Sequence, residues 1–173
     1  MLRYVGQGDA EALLALFGDA RRMRFWGHAP IADMAAARDL VDQIRAGAES
    51  GDLRQWAITL AGDDALVGTC TLAGVDEENL RAELGVAVAA AHERTGIATE
   101  AATEVIRHAF EDLGLRRLTA DADPRNDAAL ALLEKLGFGH EGHLREHYRQ
   151  GEEWQDGVLL GLLRGEWEAA RRA

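Results

Sequence analysis

The 173 residues carry 19 Lys and Arg against 30 Asp and Glu, a formal net charge of -11. A field of that sign repels nucleic acid and anionic membrane surfaces and favours cationic partners, amines among them. Apolar residues make up 47%, but in runs as short as Val86-Ala87-Val88-Ala89-Ala90-Ala91, which cannot span a bilayer. The lone cysteine, Cys70, excludes an internal disulfide. Met1-Leu2-Arg3-Tyr4 lacks the positive flank and apolar stretch of a signal peptide, so a cytoplasmic protein is expected. No linker, repeat or low-complexity segment interrupts residues 1–173, and the length suits one domain.

Elements alternate along the chain. Leu2 to Val5 reads as a short strand. Asp9 can cap a helix through Phe17, with Ala12, Leu13, Leu16 and Phe17 on one face. Arg21 to His28 is an irregular basic and aromatic stretch, and Met34 to Ala48 a second helix with Leu40, Val41 and Ile44 at helical spacing. Gln55 to Leu60 and Leu66 to Leu72 predict a hairpin around Ala61-Gly62-Asp63-Asp64. Arg81 to Ala89 is a further strand. Thr99 to Leu113 is the strongest helix, striped by Ala102, Val105, Ile106, Ala109 and Phe110 and stopped by Gly114. Arg117 to Ala122 is a strand, Asp127 to Leu136 a helix ending at Gly137, and Phe138 to Tyr148 and Glu153 to Leu163 two more strands. Hairpins at both ends with a strand-helix-strand crossover between them predict an α+β fold on a mixed sheet.

The chemistry concentrates where the strand ending at Ala89 runs through His92-Glu93-Arg94-Thr95-Gly96-Ile97-Ala98-Thr99 into the long helix. The first turn of a helix offers backbone N–H groups without intrahelical partners and a positive dipole end, a ready site for phosphate. Gly96 and Ala98 are small enough for a close approach, and Arg94 adds a cation. A single glycine is far short of a full phosphate-binding fingerprint.

Four stretches surround this loop in a telling order: Gly68-Thr69-Cys70; Arg81-Ala82-Glu83-Leu84-Gly85 leading to Gly96-Ile97-Ala98-Thr99-Glu100-Ala101; Asp123-Pro124-Arg125-Asn126 with Leu133-Glu134-Lys135-Leu136-Gly137-Phe138; and Glu141-Gly142-His143-Leu144-Arg145-Glu146, followed by Asp156 and Leu162-Leu163-Arg164-Gly165-Glu166-Trp167. In order and spacing they resemble the GNAT superfamily of N-acetyltransferases, within it the branch of ribosomal-protein N-terminal acetyltransferases. The resemblance implies a mixed, mostly antiparallel twisted sheet of six or seven strands with about four helices, splayed between its fourth and fifth strands. It implies acetyl-CoA as co-substrate, its pantetheine arm lying in that split. Backbone groups of Val86 and Val88 would bond the acetyl and pantetheine portions. Glu93, Arg94, Thr95, Gly96, Ile97, Ala98 and Thr99 would surround the pyrophosphate, and Asn126 would touch the cofactor from the next helix.

The same resemblance implies direct transfer of an acetyl group to a primary amine, a protein N-terminus or a small molecule, in a ternary complex. The amine must lose a proton before it attacks. Glu83, on one wall of the split, is the first candidate base. Glu146, His147 and Tyr148 lie on a strand where some members carry theirs, and strand alternation places Glu146 and Tyr148 on one face with His147 on the other. Tyr148 is also the candidate proton donor to the leaving thiolate, and N–H groups near Val88 would hold the oxyanion. Trp26 and His28, with Arg24 and Phe25, fall where acceptor sites are shaped. Homodimers are common in the family.

The departures are specific. Glu93 stands where the family prefers Gln, Arg or Trp, and a carboxylate beside a diphosphate is repelled by about 1 kcal/mol at 4 Å in water. Ala129 and Leu133 stand where relatives place a Ser or Tyr proton donor. These changes motivate an alternative, a catalytically weak acyl-CoA-binding protein. His143-Leu144-Arg145-Glu146-His147 matches a zinc-peptidase pattern that requires a helix. On a strand the two histidines sit about 13 Å apart, so no metal site is expected. Cys70 reads as a buried structural cysteine, and Trp56, Trp154 and Trp167 as packing residues of the core or hairpins.

Overall fold

The computed structural model describes residues 1–172. Seven strands, β1 (Leu2–Tyr4), β2 (Leu53–Leu60), β3 (Asp63–Asp76), β4 (Arg81–Val88), β5 (Arg117–Ala122), β6 (Gly139–Gln150) and β7 (Glu153–Leu163), form one sheet in the order β1-β2-β3-β4-β5-β7-β6. The pairings are antiparallel except β4 with β5. Those two must run parallel, because α4 carries the chain back across the sheet between them. Among the described residues six α-helices, α1 (Ala10–Phe17), α2 (Ala20–Met23), α3 (Met34–Ser50), α4 (Ile97–Arg107), α5 (Asp127–Lys135) and α6 (Arg164–Ala170), cover the sheet. No helix of the described residues is long and apolar enough to cross a membrane.

The parallel contact is short. Only Arg81 with Arg117, Ala82 with Leu118 and Glu83 with Thr119 are in register. Beyond Glu83 the strands part, while β4 stays bonded to β3 up to Val88 and β5 to β7 up to Ala122. This is the expected splay between the fourth and fifth strands.

Two apolar clusters hold the layers together. Leu84, Leu118, Ala120, Leu160 and Leu162 of the sheet pack with Ala102, Val105, Ile106, Ala109 and Phe110 of α4 and the turn after it. On the other side Leu13, Leu16 and Phe17 of α1 meet Val41 and Ile44 of α3 over Ala57 and Leu66. Side chains alternate across β5, so burying Leu118, Ala120 and Ala122 under α4 turns Thr119 and Asp121 to the opposite face.

Several boundaries differ from the sequence expectation. The helix expected to run unbroken to Leu113 is α-helical to Arg107 and then widens into a π turn over His108–Asp112, closed by Leu113 N–H donating to the His108 carbonyl at 3.0 Å. Asp9 does not cap α1 through its side chain. Its carboxylate instead accepts from Arg3 Nη1 and Nη2 at 2.8 and 2.7 Å and from Gly6 N–H at 2.8 Å. The irregular stretch from Arg21 contains part of α2, and α6 was not anticipated. Trp56 is buried and Trp167 packs on Phe110 at 5.4 Å between ring centroids, but Trp154 is exposed. Cys70 is fully buried, and its desolvated thiol is pushed up to about 12.

Candidate active site

The open edge of β4 leads directly into the loop singled out by its sequence. Ala90–His92 make one 3-10 turn, Arg94 and Gly96 take left-handed backbone at φ 59 and 90°, and α4 starts at Ile97. Gly96 suits a position that strains other residues, and a Cβ there would meet nothing within 4 Å. His92 and Glu93 N–H groups close the 3-10 turn. Among the described residues, no backbone bond of the loops and turns uses the amides of Arg94 to Thr99. Unspent donors, a helix dipole and open space at Gly96 fit a diphosphate. The Thr95 hydroxyl donates to the His92 carbonyl at 2.7 Å and stiffens the loop.

Glu93 is offset by a residue the sequence did not point to. Arg22, from α2, places Nη1 3.3 Å from Glu93 Oε1 and donates from Nη2 to the Val88 carbonyl. Arg94, the expected compensator, is exposed and makes no ion pair among the described residues. Asn126 caps α5 by accepting from Ala129 N–H at 3.2 Å, which commits its oxygen and leaves its Nδ2 group without a described partner.

A second group of residues lies on the face of β5 away from α4. The Asp121 side chain is only 8% exposed, and its Oδ2 lies 3.3 Å from His147 Nε2. Its Oδ1 is buried with no hydrogen-bond partner among the described residues. Burial raises the Asp121 carboxyl above its ordinary value, the nearby charge of Glu83 adds to the rise, and His147 opposes it. Beside them the Tyr148 phenol is pushed up to about 12, first by burial and then by the charges of Asp121 and Glu83. Four titratable side chains, Glu83, Asp121, His147 and Tyr148, therefore converge beside the place where β4 and β5 part.

Glycines make room for this cluster. A Cβ on Gly157 of β7 would stand 2.8 Å from Asp121 Oδ1 and 3.0 Å from His147 Cδ2, and one on Gly27 would stand 2.3 Å from Tyr148 Cδ1. The Gly27 loop is itself clamped from the β6–β7 hairpin. Gln150 Nε2 donates to the Met23 carbonyl at 2.6 Å and Gln155 Nε2 to the Arg24 carbonyl at 3.0 Å. Trp26 leans on Phe17 and the α1–α3 cluster, and His28 stands beside it, exposed, with its ring centroid 5.8 Å away.

Strand alternation failed at β6. Leu144 pairs with Gly157 and Tyr148 with Gln155, so four steps along β6 match two along β7. Glu146 takes φ 51° in this bulge, donates its N–H to Asp156 Oδ1 at 2.8 Å and stays exposed. His147 and Tyr148 then both reach Asp121, whereas alternation put them on opposite faces, and Glu146 has no described contact with the cluster. His143 turns to Asp156 at 2.7 Å, so the two histidines of the zinc-like pattern serve different carboxylates. Asp121, His147 as its partner, Arg22 and Gly27 were missed. The one available signal was a carboxylate on the outward phase of β5.

The geometry agrees with what the chain is similar to. The family model "Acetyltransferase (GNAT) domain" matches residues 1–139. A putative ribosomal N-acetyltransferase of Bacillus subtilis is 34% identical over 69% of this chain and 66% of its own length. Spermidine N(1)-acetyltransferase of Escherichia coli is 26% identical over 99% of this chain and 85% of its own. A spermidine N-acetyltransferase of Vibrio cholerae, solved with CoA and spermine, superposes with a TM-score of 0.87 at 22% identity over 97% of each chain. Acetyl-CoA is the family's acetyl donor. The protein thus belongs to the GNAT acetyltransferase family and is an N-acetyltransferase.

Proposed function

We propose that the protein transfers the acetyl group of acetyl-CoA directly to a primary amine of a small cationic molecule in a ternary complex. The observation that carries this reading is the anionic cluster, Glu83 with buried Asp121, set beside the split between β4 and β5. Two carboxylates at one mouth attract an ammonium group. The similarity to a spermidine acetyltransferase along 99% of the chain supports a small acceptor over a protein N-terminus.

In this reading the open edge of β4 at Val86 and Val88 bonds the pantetheine arm, and N–H near Val88 faces the developing oxyanion. Glu93, Arg94, Thr95, Gly96, Ile97, Ala98 and Thr99 wrap the diphosphate, with Arg22 beside Glu93 supplying positive charge. Asn126 contributes its Nδ2 group. Glu83 draws in the acceptor, and Trp26 and His28 border its path. Tyr148 remains protonated through neutral pH and holds the proton that the leaving thiolate needs. Glu146 stays outside the reacting set. Both apolar clusters share one sheet, which supports a single domain over residues 1–173.

The alternative, a weak acyl-CoA-binding protein, rested on Glu93, Ala129 and Leu133. Arg22 answers the first, and Tyr148 supplies the hydroxyl that the other two positions lack. The test pairs a thermal shift with acetyl-CoA and free-thiol release across spermidine, tyramine and an N-terminal peptide. Stabilisation with faster release on the small amines is expected. No stabilisation at millimolar acetyl-CoA overturns the reading.

A further inference from the structure

We propose that His147 is the base that removes the acceptor's proton, and that Asp121 is the positioning residue that holds it. This rests on the acetyl-transfer reading and adds a chemical role that the sequence assigned to Glu83.

The geometry favours a paired imidazole over a carboxylate. Asp121 Oδ2 lies 3.3 Å from His147 Nε2, and the carboxylate is nine-tenths buried while the imidazole is 37% exposed. A carboxylate facing Nε2 favours the tautomer with the proton there, leaving the Nδ1 lone pair as acceptor. Neither ring nitrogen is hydrogen-bonded among the described residues, and Nε2 meets Asp121 at ion-pair distance. An imidazole suits proton removal near neutral pH, because efficiency peaks when the base's affinity for protons matches the working pH. The titratable groups facing the pair are Glu83 from β4 and Tyr148 from β6, whose ring centroid lies 4.4 Å from that of His147, and Gly157 of β7 lies against both Asp121 and His147. Asp121 makes a poor base itself, since its Oδ1 is sealed from solvent. Glu83 is exposed and makes no side-chain hydrogen bond or ion pair among the described residues.

The acceptor enters as an ammonium. One proton passes to His147 Nδ1, and the freed lone pair on nitrogen forms the new N–C bond. The C–S bond breaks with its electron pair going to sulfur. Tyr148 gives its proton to that thiolate and takes the second proton lost by nitrogen. His147 returns its own proton to water across its exposed edge.

The test uses the full-length protein with acetyl-CoA and, as acceptors, spermidine and tyramine, comparing wild type, His147→Ala, Asp121→Asn and Glu83→Gln. Acetyl-CoA stabilises all four equally if the donor site is intact. Free-thiol release is expected to fall about 100-fold or more in His147→Ala, and added 4-methylimidazole is expected to restore part of it. Asp121→Asn is expected to lower kcat several-fold with little change in the acceptor KM, because the carboxylate acts by holding the ring in place. Retention of half the turnover in His147→Ala, absence of rescue, or wild-type kcat in Asp121→Asn overturns the proposal. So does a wild type that is stabilised by acetyl-CoA yet releases no thiol with either amine. A wild type that acetyl-CoA does not stabilise is a different failure, that of the acetyl-transfer reading.

Discussion

Arg22 and Glu93 form an ion pair, 3.3 Å between Nη1 and Oε1, that joins α2 to the loop before α4. The same guanidinium also donates to the Val88 carbonyl at the end of β4. A carboxylate that would repel a diphosphate is thereby turned into an anchor for a cation.

Arg22→Ala should weaken acetyl-CoA binding about tenfold, or about 1.4 kcal/mol, because Glu93 is left unpaired beside the diphosphate. Glu93→Gln should bind as well as wild type or better, and the double variant should recover most of the loss. Isothermal titration calorimetry with acetyl-CoA reads all three. Equal weakening in the single and double variants would show that Arg22 acts without reference to Glu93.

Gly27→Ala should displace the Tyr148 ring, since its Cβ would lie 2.3 Å from Cδ1. Overpacking of that kind costs about 1–3 kcal/mol. Thermal unfolding should show a lower Tm, and thiol release should fall while acetyl-CoA binding holds. Wild-type turnover in this variant would detach Tyr148 from the reaction.

Asp121→Asn should stabilise the fold at neutral pH even as it slows the reaction. Asp121's carboxyl is raised above its ordinary 3.8 by burial, so its ionised form opposes folding. Stability from this group is complete below the unfolded carboxylate range and is lost as pH rises through the higher folded value. The Tm gap between the variant and wild type should therefore be widest near pH 7 and close on acidification. A variant less stable than wild type at pH 7 would mean that the His147 contact outweighs desolvation.

Cys70 should not react with a disulfide reagent in the native protein. Its thiol is fully buried and raised to about 12, so almost no thiolate exists at pH 8. Release of one equivalent should appear only on unfolding. Fast native labelling would show that β3 opens.

What the sequence revealed follows the reach of local physics. β5 and β7 begin and end where their apolar and turn residues predict, at Arg117–Ala122 and Glu153–Leu163. The diphosphate loop was legible because a strand, one glycine and a helix start are contiguous, although α4 begins at Ile97 and not at the expected Thr99. The bulge at Glu146 was not, because surplus residues in β6 are defined only against their partners in β7. Arg22 and Glu93 are far apart in the chain, and their pairing depends on how α2 crosses the end of β4. Trp154, expected in the core or a hairpin, lies in the β6–β7 hairpin under the Arg149 guanidinium and largely in solvent. An aromatic residue states that it has apolar area to cover without stating what will cover it.

The surplus in β6 also bears on how such a centre can change over generations. Between Leu144 and Tyr148 the strand holds more residues than β7 requires, while Gly139 to His140 and Tyr148 to Gln150 remain in register at either end. Loss or gain of a residue inside that stretch would swap which side chain meets Asp121 and leave the flanking ladder intact. The acceptor mouth is thus open to revision by chain length as well as by substitution, with the donor side of the sheet untouched.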